Sequence, residues 1–185
     1  MLRVSGLLLG SSLLLFTACE RAVEEGTPDV SAPRPATISG TWHVEGVTVE
    51  KVSGKTRQIS GTIILSERGG KYHSTFDLST TLPTEGGPTH ADVIGEGEGD
   101  VSGRTLTGTA RTQIVVAGAP NVDPAFAFVP RRVGTRIVSS TKGTLGDDGS
   151  ISLEIESEPA PGETYAATRT TLKGSFAAPL RTPEP

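Results

Sequence analysis

Cysteine is nearly absent from this chain: Cys19 is the only one in 185 residues. No internal disulfide can form, so the fold must stand on its core alone. Large side chains are also scarce, with one Trp, two Tyr and five Phe against 23 Gly. There is no surplus of positive charge. The formal net charge is −4, which argues against a nucleic-acid partner, because such partners select a basic surface. The motifs of common catalytic machinery are missing: no HExxH, no paired cysteines, no GxSxG. The three histidines, His43, His73 and His90, fall on outward strand faces or in a loop. A metal site from His43, Glu45 and His73 is disfavoured, and the acidic "GDDGS" lacks the spaced oxygens of a calcium loop. The expectation is a protein that is not an enzyme and carries no metal or cofactor.

What is present begins with an address. Met1-Leu2-Arg3 is a short positive leader, followed by an apolar stretch from Val4 to Phe16 that is interrupted by glycine and serine. Small residues come next, then Cys19. This is the order of a secretory signal, and the apolar stretch is shorter than the roughly 20 residues a membrane span needs. Phe16-Thr17-Ala18-Cys19 resembles the lipobox of bacterial lipoproteins, with Phe16 where that family usually has Leu. The resemblance implies cleavage before Cys19, a diacylglyceryl thioether on its sulfur and acylation of its new amino group. Several chains on one residue hold firmly where one alone is marginal. Glu20 in place of Asp after the cysteine points to the outer membrane. The expected organisation is a signal over residues 1–18, the lipidated Cys19 with a tether to residue 38, a folded domain over 39–178 and a frayed tail over 179–185.

Inside the domain the dominant pattern is alternation, the mark of half-buried strands. Ile59, Gly61, Ile63 and Leu65 share a face, as do Tyr72, Ser74, Phe76 and Leu78. Between these runs lies "ERGG", a hairpin turn. Val93, Gly95, Gly97, Gly99 and Val101 share the face of the next strand, and Leu106, Gly108, Ala110, Thr112 and Ile114 that of the one after. A turn at Gly103-Arg104 sets Gly99 opposite Gly108, Gly97 opposite Ala110 and Glu96 opposite Arg111. A third hairpin places Ile137, Ser139, Thr141, Gly143 and Leu145 against Ile151, Leu153 and Ile155, with Lys142 facing Glu154 and Gly149 in a left-handed turn position. The last strand turns Thr168, Thr170, Leu172, Gly174 and Phe176 inward. The first turns Trp42 and Val44 inward, and its apolar parity changes at Val47 and Val49, which predicts a bulge near Gly46. No segment carries a helical period. The fold expected is all-β: an up-and-down antiparallel barrel of about eight strands, with a two-sheet sandwich as the alternative.

Gly40-Thr41-Trp42 resembles the opening of the calycin-type barrels, the lipocalins and avidins. That resemblance implies a Trp plugging the closed end with a basic side chain packed across it, here Arg169 or Lys173. The further tryptophans that wall avidin's biotin site are absent, which argues against biotin as the ligand.

The glycine run is the remaining oddity. Gly95, Gly97, Gly99, Gly108 and Ala110 remove side chains from one interior patch, and a large void is costly. A ligand fills it, or the irregular segment 117–132 with Phe126 and Phe128 folds over it, or the glycines relieve crowding in a coiled strand. The residues expected at a binding site are therefore Trp42, Gly95, Gly97, Gly99, Phe126 and Phe128. Two functions follow as expectations. In one, a lipid-anchored, lipocalin-like barrel in the cell envelope binds a small apolar ligand, which needs a cavity of a few hundred Å3. In the other, the barrel is solid and serves an envelope protein partner through its surface.

Overall fold

The computed structural model describes residues 38–116, 129 and 135–180. The residues expected to form the signal and the tether up to residue 37, with Cys19, Phe126, Phe128 and the tail after Leu180, lie outside the described residues.

The eight alternating segments form eight strands. They are β1 (Gly40–Glu50), β2 (Thr56–Arg68), β3 (Lys71–Thr84), β4 (Gly87–Ser102), β5 (Thr105–Val116), β6 (Ile137–Leu145), β7 (Ser150–Ser157) and β8 (Thr168–Ala178). Each pairs antiparallel with its neighbour in sequence, and β1 pairs with β8, so the sheet closes as an up-and-down barrel without free side edges.

Turn chemistry sets the register at one end. Gly69 and Gly70 both adopt positive φ, +60° and +73°, as a two-residue type I′ turn demands, and Arg68 then meets Lys71. In β4–β5, Gly99 faces Gly108, Gly97 faces Ala110 and Glu96 faces Arg111, as the alternation predicts. In β6–β7, Lys142 faces Glu154, and Gly149 takes φ +78° in the connecting loop.

Apolar residues point inward and the outer face carries Thr, Glu, Lys and Arg. A membrane-spanning barrel has the opposite arrangement, an apolar outer band. Ile64, Ile94 and Val138 are exposed, each on a separate strand.

The two ends differ. The three short turns, the start of β1 and the end of β8 lie at one end, the closed end. There Trp42 is fully buried, its Nε1 donates to the Ile38 carbonyl at 3.0 Å, and Leu106, Ile151 and Leu172 complete the seal. The connections 51–55 and 158–167 belong to the other, open end.

Three features depart from the sequence reading. The parity of β1 does not change at Gly46: its pairing with β2 runs unbroken, Val47 and Val49 stay outside, and Thr48 and Glu50 point in and are buried. The irregularity of β1 lies instead between Thr41 and Trp42, in the pairing with β8. Toward Glu50, at the open end, the interior is polar, so hydrophobic alternation misassigned the faces there. The basic residue expected across Trp42 is not there. Arg169 is paired with acidic residues at the other end of β8, and Lys173 points outward. Phe176 packs against the indole instead.

Candidate functional site at the open end

The space the glycines create is occupied by the barrel's own side chains. A β-carbon on Gly95 would meet the Phe76 ring, one on Gly97 would lie 2.6 Å from Ser74 Oγ, and one on Gly108 would lie 2.5 Å from the Tyr72 hydroxyl. At Gly99 it would strike the backbone of β5. The glycines thus let aromatic rings and strands approach closely. They do not open a large chamber.

Among the described residues, two small interior cavities share Phe76 and Ile155 in their linings. The closed-half cavity, about 30 Å3, is bordered by Tyr72, Ser74, Gly97, Leu106 and Thr141. The open-half cavity, about 60 Å3, has apolar walls from Ile59, Phe76, Leu78, Val93, Ile114 and Ile137, and a polar rim. Its rim holds Thr48, Arg57, Thr112, Ser139, Ser157, Thr168 and Thr170. Two rim pairs are internally bonded, Thr48–Thr170 at 2.8 Å and Ser157–Thr168 at 2.7 Å between hydroxyl oxygens.

Arg57 is the charged group of this rim. It lies opposite Thr48 in the β1–β2 pairing and shares the inward parity of Ile59. Its Nε and Nη1 are shut off from solvent. Burial lowers its pKa to about 9, and the nearby Glu50 carboxylate pulls the other way. Glu50 is itself buried, and its Oε2 has no hydrogen-bond partner among the described residues.

Outside the rim, charges brace the loops. Lys51 Nζ lies 2.5 Å from Glu158 and 3.4 Å from Glu156, while Arg169 reaches Glu156 at 2.7 Å and Glu154 at 3.1 Å. The buried Tyr165 donates to the Glu158 carbonyl at 3.2 Å. Together these contacts tie the 158–167 connection to β7, β8 and the start of the β1–β2 turn.

The β3–β4 hairpin runs past the rim, because β2 pairs with β3 only as far as Thr80. On this extension Leu82 and Ala91 are fully buried, packed with Ile114, Val116 and Val129. Val129 is the described point of the segment expected to cover the glycines. It packs on this extension, at the opposite end of β4 from Gly99.

Of the residues expected at a binding site, Trp42 belongs to the closed-end core, Gly97 borders the closed-half cavity, and Gly95 and Gly99 border neither cavity. Arg57, Glu50 and the hydroxyl rim were missed. The signal was present: Arg57 is two residues before Ile59 on one strand face, and unbroken alternation from Trp42 reaches Thr48 and Glu50. Compared with known protein families and with curated proteins, the chain matches none.

Proposed function

We propose that this chain is a lipid-anchored protein of the bacterial cell envelope whose barrel acts as a solid interaction module for an envelope protein partner. The anchor rests on the Arg3 leader, the apolar stretch and Phe16-Thr17-Ala18-Cys19, and outer-membrane placement on Glu20. The observation that carries the module reading is the filled interior. The larger cavity is about 60 Å3, whereas a site enclosing a small molecule needs a few hundred. The surface available to a partner is then the charged outer face and the open rim.

A second reading, binding of a small apolar ligand, is favoured by the apolar walls under the polar rim. That cavity ends at Phe76, so it has room for the end of a chain and not for a whole ligand.

Native mass spectrometry of the gently released protein, with crosslinking in intact cells, tests both. A bare protein mass together with a reproducible crosslinked partner supports the module. A bound mass lost on Phe76→Trp, with no crosslink, overturns it in favour of ligand binding. The anchor is tested separately by fatty-acid labelling: incorporation should vanish in Cys19→Ser, and a wild-type protein without label would refute lipidation.

A further inference from the structure

We propose that the closed half of the barrel holds a hydration site, in which ordered water bridges the Tyr72 and Thr141 hydroxyls.

The register shows how the site is built. Tyr72 on β3 faces Gly99 on β4, Gly99 faces Gly108 on β5, and Gly108 faces Thr141 on β6. These four residues form one rung across four strands. Two consecutive glycines leave the middle of the rung without side chains, so the phenol extends over β4 and β5. Its hydroxyl stands where a Gly108 β-carbon would be, 2.5 Å from that point. The next side chain along the rung is Thr141.

Yet the two hydroxyls do not meet. Tyr72 Oη and Thr141 Oγ1 are both buried, and neither has a hydrogen-bond partner among the described residues. Tyr72 is 5% exposed, so bulk water does not reach its hydroxyl. Both residues line the same cavity of about 30 Å3, and the buried Ser74 lines it with them. A water needs roughly 10–15 Å3 and two to four polar partners. The chamber therefore has space for about two waters, and three hydroxyls to hold them. Buried polar groups are nearly always paired, and a bridging water is the common means when side chains fall short of each other. An apolar chain end would leave both hydroxyls unsatisfied, so the chamber selects water or a hydroxylic molecule of similar size.

The site also limits the depth of the open-end cavity. With the closed half hydrated, Phe76 and Ile155 separate a wet chamber from the apolar walls above. This inference is independent of the function proposed for the rim.

A high-resolution crystal structure of the full chain, with water-to-protein NOE spectra, tests the site. The expected result is a density peak within hydrogen-bonding distance of both oxygens, and a slow-exchange water NOE to the Tyr72 ring. Both should disappear in the Tyr72→Phe/Thr141→Val double variant. Either single variant should lower the urea midpoint, with the double variant no lower than the worse single, since removing both partners removes the need for the bridge. Strictly additive losses, or Tyr72 and Thr141 hydrogen-bonded directly in the crystal, would overturn the proposal. If a variant fails to fold, the wild-type density and NOE decide alone.

Discussion

Trp42 and Phe176 meet edge to face, with ring centroids 5.3 Å apart and planes at 80°. This contact joins the first strand to the last beside the one register shift of the β1–β8 seam. It supplies the closed end with an apolar partner where the calycin resemblance implied a cation. Such aromatic pairs contribute about 0.5–1.5 kcal/mol beyond the area they bury. Phe176→Ala should therefore destabilise the protein by about 3 kcal/mol, at the lower end for aromatic truncations because the ring is only half-buried. Trp42 is the only tryptophan, so its fluorescence reports the site directly. The emission should shift to the red in the folded variant. An unchanged urea midpoint and spectrum would show that the seam does not depend on this contact.

The interior glycines separate into two kinds. At Gly97 the near neighbour of an added β-carbon is the Ser74 hydroxyl, with the Thr109 carbonyl at 3.3 Å. At Gly95 the added carbon would meet the backbone carbonyl of Arg111 as well as Phe76. A side chain can be shortened, whereas a paired strand cannot withdraw. Gly97→Ala should cost about 1–3 kcal/mol, and Ser74→Ala should recover most of that loss. Gly95→Ala should cost at least as much, and Phe76→Leu should not recover it. Denaturation midpoints of the two double-mutant cycles check this, and equal rescue in both would contradict it.

Arg57 and Glu50 form a pair of opposite charges at the open end. Burial lowers the guanidinium pKa against the pull of the carboxylate, so desolvation outweighs their attraction. A pair of this kind is better replaced whole than broken. Arg57→Met alone should destabilise by about 3 kcal/mol, because it leaves the buried Glu50 carboxylate without its counter-charge, and Glu50→Gln should also destabilise, because it removes the group that offsets the burial of Arg57. Glu50→Leu with Arg57→Met should restore wild-type stability or exceed it. Chemical denaturation of the four proteins tests this, and a double variant weaker than both singles would show that the polar rim is required for folding.

How far this molecule is legible in its sequence depends on what sets each feature. The β4–β5 pairing is local: alternation fixes the faces, Gly103 fixes the turn, and Gly99 must then face Gly108. The same holds for the hairpins at Gly69-Gly70 and Gly149. Closure of β1 on β8 agrees with the number of strands and their polarity. The interior at the open end was legible in part: alternation turns Ser139, Thr168 and Thr170 inward, whereas Thr48, Glu50 and Arg57 escape it because the apolar Val47 and Val49 compete with them for the inward face. The glycine patch was legible as missing volume. Its filling was not, because Phe76 and Tyr72 reach it from the adjacent strand in a direction that alternation does not encode. The partner of Trp42 depends on where the last strand ends relative to the first, which is a property of the closed sheet.

Alkaline pH gives a final prediction, again centred on Tyr72. Burial raises the Tyr72 pKa above the ordinary value near 10, and the nearby Asp100 carboxylate raises it further. Burial also raises the pKa of Tyr165, with Glu163 adding to the effect. The folded state thus keeps both phenols protonated at a pH where the unfolded chain has begun to lose them. Their contribution to stability is complete below about pH 10 and is lost as pH rises through the folded-state values. Absorbance at the tyrosinate band should show both phenols titrating above 10 in the folded protein and near 10 in urea. Stability should fall as pH rises past the ordinary phenol value, and Tyr72→Phe should flatten that fall. A phenol titrating at its ordinary value in the folded protein would show that it is open to solvent. For Tyr72, such a result would also contradict the closed chamber beneath Phe76.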